Sequence, residues 1–177
     1  TNTLRVLGTK AGLIVFAGDV LKCILAIVCT TLIFGKNNSD IIYLLKLYTA
    51  AGAILGHNYP FYLGFKGGKG IAATAGLILS FHWTFIPVGA IVFFGAFLLT
   101  HYVSLGSLLI YTGFMVQLVV AGFYGLFGMT HAQLYELYAI GAFLTILAFF
   151  KHRANIVRLI NGNERKTYLI KKKEAEE

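Results

Sequence analysis

Six apolar runs, at roughly residues 11–34, 41–56, 70–82, 84–100, 103–126 and 134–151, follow one another with little polar sequence between them. That succession narrows the fold more than any other feature. A helix needs about 20 apolar residues to cross the hydrocarbon core of a bilayer. Inside that core each backbone N–H and C=O must be bonded within its own segment, which leaves helices for runs of this length. Composition agrees, since 58% of the 177 residues are hydrophobic and 12% are charged, against about a quarter charged in soluble domains. The expectation is an all-α integral membrane protein, a polytopic helical bundle of about six spans. The runs 70–82 and 84–100 are short and separated only by Phe81-His82-Trp83, which predicts a helical hairpin that barely reaches the far side. Residues 1–170 read as one transmembrane domain and 171–177 as a charged tail. The opening Thr1-Asn2-Thr3-Leu4-Arg5 lacks both a methionine and a signal-peptide pattern. It reads as the inside of a longer sequence, with a further span expected ahead of it.

Basic residues orient the threading. If the six runs alternate, the connections on one face hold Arg5, Lys10, Lys66, Lys69, Lys151, Arg153, Arg158, Arg165, Lys166 and Lys171-Lys172-Lys173. Those on the other face hold only Lys36, and Lys22 and Lys46 fall within spans. The excess of Lys and Arg marks the cytoplasmic side. The net charge of +8 is thereby explained by orientation and by contact with lipid headgroups, and it does not argue for nucleic acid.

The most pointed chemistry lies in Gly56-His57-Asn58-Tyr59-Pro60-Phe61-Tyr62-Leu63-Gly64-Phe65-Lys66-Gly67-Gly68-Lys69-Gly70, a polar, glycine-dense loop between two apolar runs. Glycines admit the left-handed dihedrals from which converging backbone amides are built, and Lys66 and Lys69 add cationic charge. An anion site at the membrane edge is expected, with phosphate the best-suited anion, Gly67 and Gly68 offering amides and Lys69 a point charge. It is not a nucleotide P-loop. That motif requires glycine where Leu63 stands and Ser or Thr where Gly70 stands. His57 and Pro60 read as turn architecture, Pro60 fixing its own φ and restricting Tyr59 to extended geometry.

A second cluster follows the last run: His152-Arg153-Ala154-Asn155-Ile156-Val157-Arg158 through Glu164. On a helix His152, Asn155 and Arg158 share a face approximately. This segment reads either as an amphipathic helix on the membrane surface or as a carrier of His152 for hydrogen bonding or proton handling and of Asn155 as a donor. Glu164, an acid among bases, reads as a structural strut. Ser104 and Ser107 sit where the fourth run meets the fifth. They read as helix packing or capping, or as donors to phosphate opposite the glycine loop. Asp19 and Lys22, three apart in the first run, are costly in lipid and expected to pair with each other. Cys23 and Cys29 read as packing residues on different faces of one helix. No His and carboxylate set has metal-ligand spacing, and no Gly-x-Ser-x-Gly elbow is present, so neither a metal nor a cofactor is expected.

Together these motifs resemble a known family. Gly56-His57 through Ala72, centred on Gly-Gly-Lys-Gly, is similar to the second signature of the bacterial acyl-phosphate-dependent glycerol-3-phosphate acyltransferases, the PlsY family. His152-Arg153-x-Asn155-Ile156 through Glu164 resembles the third, and Thr1-Asn2-Thr3-Leu4-Arg5 resembles the tail of the first. Tyr102-Val103-Ser104-Leu105-Gly106-Ser107 resembles a family serine turn. The resemblance implies a seven-span protein of the bacterial inner membrane with its active site facing the cytoplasm. It implies transfer of a fatty acyl group from acyl phosphate to the 1-hydroxyl of sn-glycerol 3-phosphate, giving lysophosphatidic acid and phosphate in phospholipid biosynthesis. Carried over, Arg5 and Lys69 would clamp phosphates, His152 and Asn155 would orient the substrates at the reacting centre, and Thr1, Asn2, Gly67, Gly68, Ser104 and Ser107 would line the site. Glu164 would be structural. The substrates and membrane lipids are the expected partners, with transient contact to the acyl-phosphate-producing enzyme allowed by the setting. Two alternatives remain open at this point: a phosphate-ester or anion transporter, and an acyltransferase that takes its acyl group from a thioester carrier.

Overall fold

In a computed structural model of the protein, residues 2–168 are described, with side chains from Val6 onward; Thr1 and the tail expected at 171–177 lie outside them. Seven α-helices follow in order: α1 (Asn2–Phe34), α2 (Ile42–Asn58), α3 (Ile71–Phe81), α4 (Phe85–Thr100), α5 (Val103–Phe123), α6 (His131–Lys151) and α7 (Arg153–Ile160). A single 3-10 turn, Phe61–Leu63, lies in the loop between α2 and α3. The first six helices fall on the six apolar runs. The boundaries follow local chemistry. Helix α6 opens on a capping box, with Thr130 accepting from the Gln133 N–H while the Gln133 side chain accepts from the Thr130 N–H. Pro87 sits in the first turn of α4, where its missing N–H leaves no helical bond unmade. Helix α1 begins earlier than the apolar pattern predicts and is broken at Gly8, where φ is 82° and ψ 176°.

By length and composition α1 (from Val6), α5 and α6 can each cross a membrane. Helix α3 has 11 residues and so extends about 17 Å, roughly half the hydrocarbon thickness of about 30 Å. The short hairpin expected from the sequence is therefore present as α3 and α4, joined across His82-Trp83-Thr84. Helix α3 is enclosed, packed on α1 and α2, whereas α4 packs on α5 and leaves most of its own residues outward. The approach of α1 to α3 depends on Gly76, where a Cβ would lie 2.5 Å from the Val20 carbonyl oxygen. Small residues let membrane helices pack backbone against backbone in this way.

The two ends of the bundle differ chemically. One is closed by aromatic rings: Phe81 stands 5.2 Å from Phe85 and 5.8 Å from Phe114 between centroids, and Tyr43 stands 4.9 Å from Phe127. Toward the other end lie the buried polar residues Asn58, Thr74, Ser104, Ser107, His152 and Asn155. Helices α2, α4 and α6 finish there and α3 and α5 begin there. Apolar side chains of α1, α4 and α6 face outward in quantity, among them Leu25, Leu32, Leu99 and Ile146, as a lipid-facing surface requires. The tip of the glycine loop, Phe61, Tyr62, Leu63 and Phe65, is also exposed.

Candidate active site

The glycine loop folds back onto the end of α2. The Gly67 N–H donates to the Asn58 carbonyl and the Gly68 N–H to the His57 carbonyl, both at 3.2 Å. These two amides, expected from the sequence to face an anion, are thus engaged within the loop. The glycines have a steric reason instead. A Cβ at 67 would lie 2.1 Å from the His57 oxygen and 2.5 Å from Pro60 Cδ, and one at 68 would lie 2.1 Å from His57 Nε2. Gly70 takes a left-handed φ of 86° as the residue before α3, which only glycine adopts freely. Pro60 acts as the expected turn residue, its carbonyl receiving the N–H groups of Leu63 and Phe65.

Turned this way, the loop places Lys69 beside the first turn of α3 and directs its ammonium across the bundle end, where it donates to Asn155 Oδ1 on α7. The Asn155 amide is oriented from its other side: Nδ2 donates to Glu164 Oε1 at 2.7 Å. The same oxygen accepts from Ser104 Oγ at 2.9 Å, and Oε2 accepts from Arg158 Nε at 2.6 Å. Burial alone would raise the Glu164 carboxyl, but the bonds from Asn155, Arg158 and Ser104 outweigh it and hold the pKa below the usual glutamate value. Glu164 reaches this position because the chain after α7 folds back over the turn between α4 and α5. There the Thr167 N–H donates to the His101 carbonyl at 2.9 Å and the Tyr168 ring lies 4.7 Å from that of His101. Helix α7 turns Asn155 inward and Val157 and Ile160 outward. The helix thus has one polar face turned to the bundle and one apolar face turned away from it.

His152, between α6 and α7, is 2% exposed. Its Nδ1 lies 2.8 Å from the Ala148 carbonyl. A carbonyl only accepts, so the ring proton sits on Nδ1 and the neutral imidazole keeps a lone pair on Nε2. Burial, followed by the nearby Lys69 charge, lowers its pKa against the opposing pull of the Ala148 carbonyl and Glu164. His152 is therefore neutral at pH 7.

The structure brings together Lys69, Asn155, Ser104 and Glu164, with Arg158 added. Ser107 does not join them, its hydroxyl donating to the Val103 carbonyl one turn back in α5 at 2.7 Å. Asn2 and Arg5 lie in the first turns of α1, which end at Gly8. Two residues were not singled out from the sequence. Asn58 is 1% exposed, and its side-chain Oδ1 has no hydrogen-bond partner among the described residues while lying 3.0 Å from where a Cβ at Gly70 would stand. Lys151 donates to the Asn58 carbonyl at 3.2 Å and covers the Tyr59 ring at 4.4 Å. An asparagine followed by Tyr-Pro reads as a turn former, and a lysine closing an apolar run reads as an interfacial anchor, so neither carried a distinguishing signal.

A polytopic helical membrane protein that gathers a lysine, a carboxylate-braced asparagine and its buried polar side chains toward one end is built to hold an anionic group at the edge of the bilayer. Comparison with known proteins makes the class specific: the model of the glycerol-3-phosphate acyltransferase family matches residues 1–162, and the chain belongs to that family. Curated relatives named glycerol-3-phosphate acyltransferase include one from Lactiplantibacillus plantarum, 38% identical over 164 residues, covering 93% of this chain and 72% of the relative. Another, from Halalkalibacterium halodurans, is 39% identical over 177 residues, covering 99% of this chain and 79% of the relative. Two crystal structures of PlsY, an integral membrane glycerol 3-phosphate acyltransferase, share the fold. Its lysophosphatidic acid form matches with a TM-score of 0.77 at 30% identity over 94% of this chain and 78% of that one. Its glycerol 3-phosphate form matches with a TM-score of 0.74 at 32% identity over 94% and 76%.

Proposed function

We propose that this protein transfers a fatty acyl group from acyl phosphate to the 1-hydroxyl of glycerol 3-phosphate, releasing lysophosphatidic acid and inorganic phosphate at the cytoplasmic face of a bacterial inner membrane. The observation that carries this reading is the Lys69–Asn155–Glu164 chain, which sets a cation and a fixed amide at the end of the bundle where the buried polar residues collect. Family membership supports the activity, and the two PlsY forms name the acceptor and the product for that protein. The transporter alternative has no support from the relatives.

Both substrates carry phosphate, so two anions must be brought together. Preorganised cations and donors in a half-dry site lower the energy of that encounter most. We assign Lys69 to a phosphate, with Arg5 as a second clamp on the strength of the family resemblance, which also assigns Thr1, Asn2 and Ser107 to the lining. Asn155 and Ser104 orient oxygens, and Gly67 and Gly68 shape the loop that aims Lys69. An acyl phosphate is already activated and has a good leaving group. The hydroxyl, aligned by donating to His152 Nε2, turns its proton to an oxygen of the acyl phosphate's own phosphate as the C–O bond forms and the acyl–phosphate bond breaks. No covalent acyl-enzyme is required, and trapping one would overturn this scheme.

The protein in detergent, supplied with acyl phosphate, should release phosphate only when glycerol 3-phosphate is added, with lysophosphatidic acid formed in equal amount. Phosphate release that ignores the acceptor, or product made from acyl-CoA or an acyl carrier instead, would move the reading to another donor. The His152 assignment has a separate pH signature. Because the neutral ring is the working form and its pKa is lowered, activity should hold at pH 7 and fall as pH drops through a value below 6.5. Substrate phosphates lose a proton near pH 6, which gives the profile an acid limb of its own. The profile of His152→Asn therefore serves as the reference, and the limb that disappears in that variant belongs to the histidine. An unchanged limb would remove His152 from the reaction.

A further inference from the structure

Asp19 and Lys22, which the sequence pairs with each other, meet a third group in the structure. Lys22 Nζ lies 2.7 Å from Asp19 Oδ1 and 2.8 Å from His57 Nδ1, and His57 Nδ1 lies 3.1 Å from Asp19 Oδ1. Nδ1 thus faces both an ammonium, which only donates, and a carboxylate, which only accepts, and the ring's other edge carries Nε2. That edge is the one turned to the glycine loop: a Cβ at Gly68 would lie 2.1 Å from His57 Nε2, 2.9 Å from Cε1 and 3.0 Å from Cδ2. The His57 carbonyl holds the Gly68 N–H. His57 therefore touches the residue before Lys69 with its ring and its backbone at once, while its far nitrogen is tied to two charges on α1.

We propose that Asp19, Lys22 and His57 form a strut that positions the glycine loop, with His57 a positioning residue for the phosphate that Lys69 meets. Charged side chains within a membrane helix carry a desolvation cost that simple lipid-facing packing does not require. A pair that only neutralised itself would have no need of a partner on α2. The third contact converts the pair into a mount: α1 fixes the ring plane, the ring forms the wall against which Gly68 rests, and Gly68 sets where Lys69 begins. Beside it stand the Gly67 bond to the Asn58 carbonyl and the Lys69 bond to Asn155, while the tip, Phe61 to Phe65, is exposed. What the loop binds rests on the acyltransferase reading, whereas the geometry of the strut does not depend on it.

Two measurements test the strut, one of them independent of activity. In steady-state kinetics, His57→Ala and Gly68→Ala are each expected to raise KM for glycerol 3-phosphate about tenfold. They should leave KM for acyl phosphate nearly unchanged, since its acyl chain anchors it in the bilayer as well. The double variant should be no worse than either single change, because the added methyl enters the space the ring vacates; independent effects would multiply to about a hundredfold. Multiplying effects, or a His57→Ala KM within twofold of the parent, would overturn the proposal. In hydrogen exchange, Asp19→Asn should speed exchange of the Gly67 and Gly68 amides at least tenfold while those of α5 and α6 stay protected. Loop exchange unchanged in Asp19→Asn would also overturn it. An inactive parent protein whose loop exchange nonetheless responds as stated would refute the acyltransferase reading and leave the strut standing.

Discussion

Lys69→Met is expected to lower kcat/KM for glycerol 3-phosphate by about 10²–10³-fold, the usual loss when one preorganised charge-stabilising donor is removed, while the protein remains folded. The expectation follows from where the side chain stands. Lys69 is exposed as a residue, so methionine can keep the aliphatic stem without opening a cavity. What disappears is the ammonium that reaches Asn155 Oδ1 at the mouth of the site. Without it, an incoming phosphate meets the amide oxygen of Asn155, an acceptor facing an anion. Lys69→Arg should restore only part of the rate, since a guanidinium keeps the charge but replaces a compact rotating donor by a wider planar fork. Thermal unfolding in detergent should differ little between parent and variants. A Lys69→Met protein within threefold of the parent rate would remove the phosphate from this lysine.

Most of the fold was legible because its cause is local and repeated. Each apolar run had to be a helix, and the observed α2, α3, α4, α5 and α6 begin and end within a few residues of those runs. The early start of α1 was not legible, since Asn2–Gly8 lacks the apolar signal and a glycine with φ 82° separates it from the rest. Lys69, Asn155 and His152 stood out through residue type and spacing, and they proved to lie on elements that meet at one end of the bundle. What spacing could not convey was direction. Nothing in the string says that the amides of Gly67 and Gly68 turn back onto α2, or that the Ser107 hydroxyl returns to its own helix while Ser104, three residues earlier, does not. The link from Asp19 and Lys22 to His57 was likewise invisible, because the partners are 38 and 35 residues apart and nothing in their spacing joins them.

Glu164 is the other residue whose replacement should be costly, and the form of the replacement decides how costly. Its two oxygens receive three donors: Ser104 and Asn155 on Oε1, Arg158 on Oε2. Glutamine has one acceptor oxygen and an NH₂ group, so Glu164→Gln must point a donor either at Ser104 and Asn155 or at Arg158. Hydrogen bonds to a charged group contribute about 1.5–3 kcal/mol. Because the Arg158 side chain is 42% exposed, its share is screened by water, and the net loss is set at about 2 kcal/mol, or about thirtyfold in kcat/KM. Alanine removes the acceptors without adding a misplaced donor, so Glu164→Ala should be no worse than Glu164→Gln, the reverse of the order expected if bulk alone mattered. The pH dependence of stability gives a second readout. A carboxyl whose pKa is lowered in the folded protein contributes stability that is complete above its unfolded value of about 4.3 and is lost as pH falls through the lower folded value. The parent should therefore lose melting temperature across that acid window, and Glu164→Gln should lose less there because it has no such contribution to give up. Equal acid sensitivity in the two proteins would mean that Glu164 does not brace Asn155 through its charge, and the orientation of that amide toward Lys69 would need another cause.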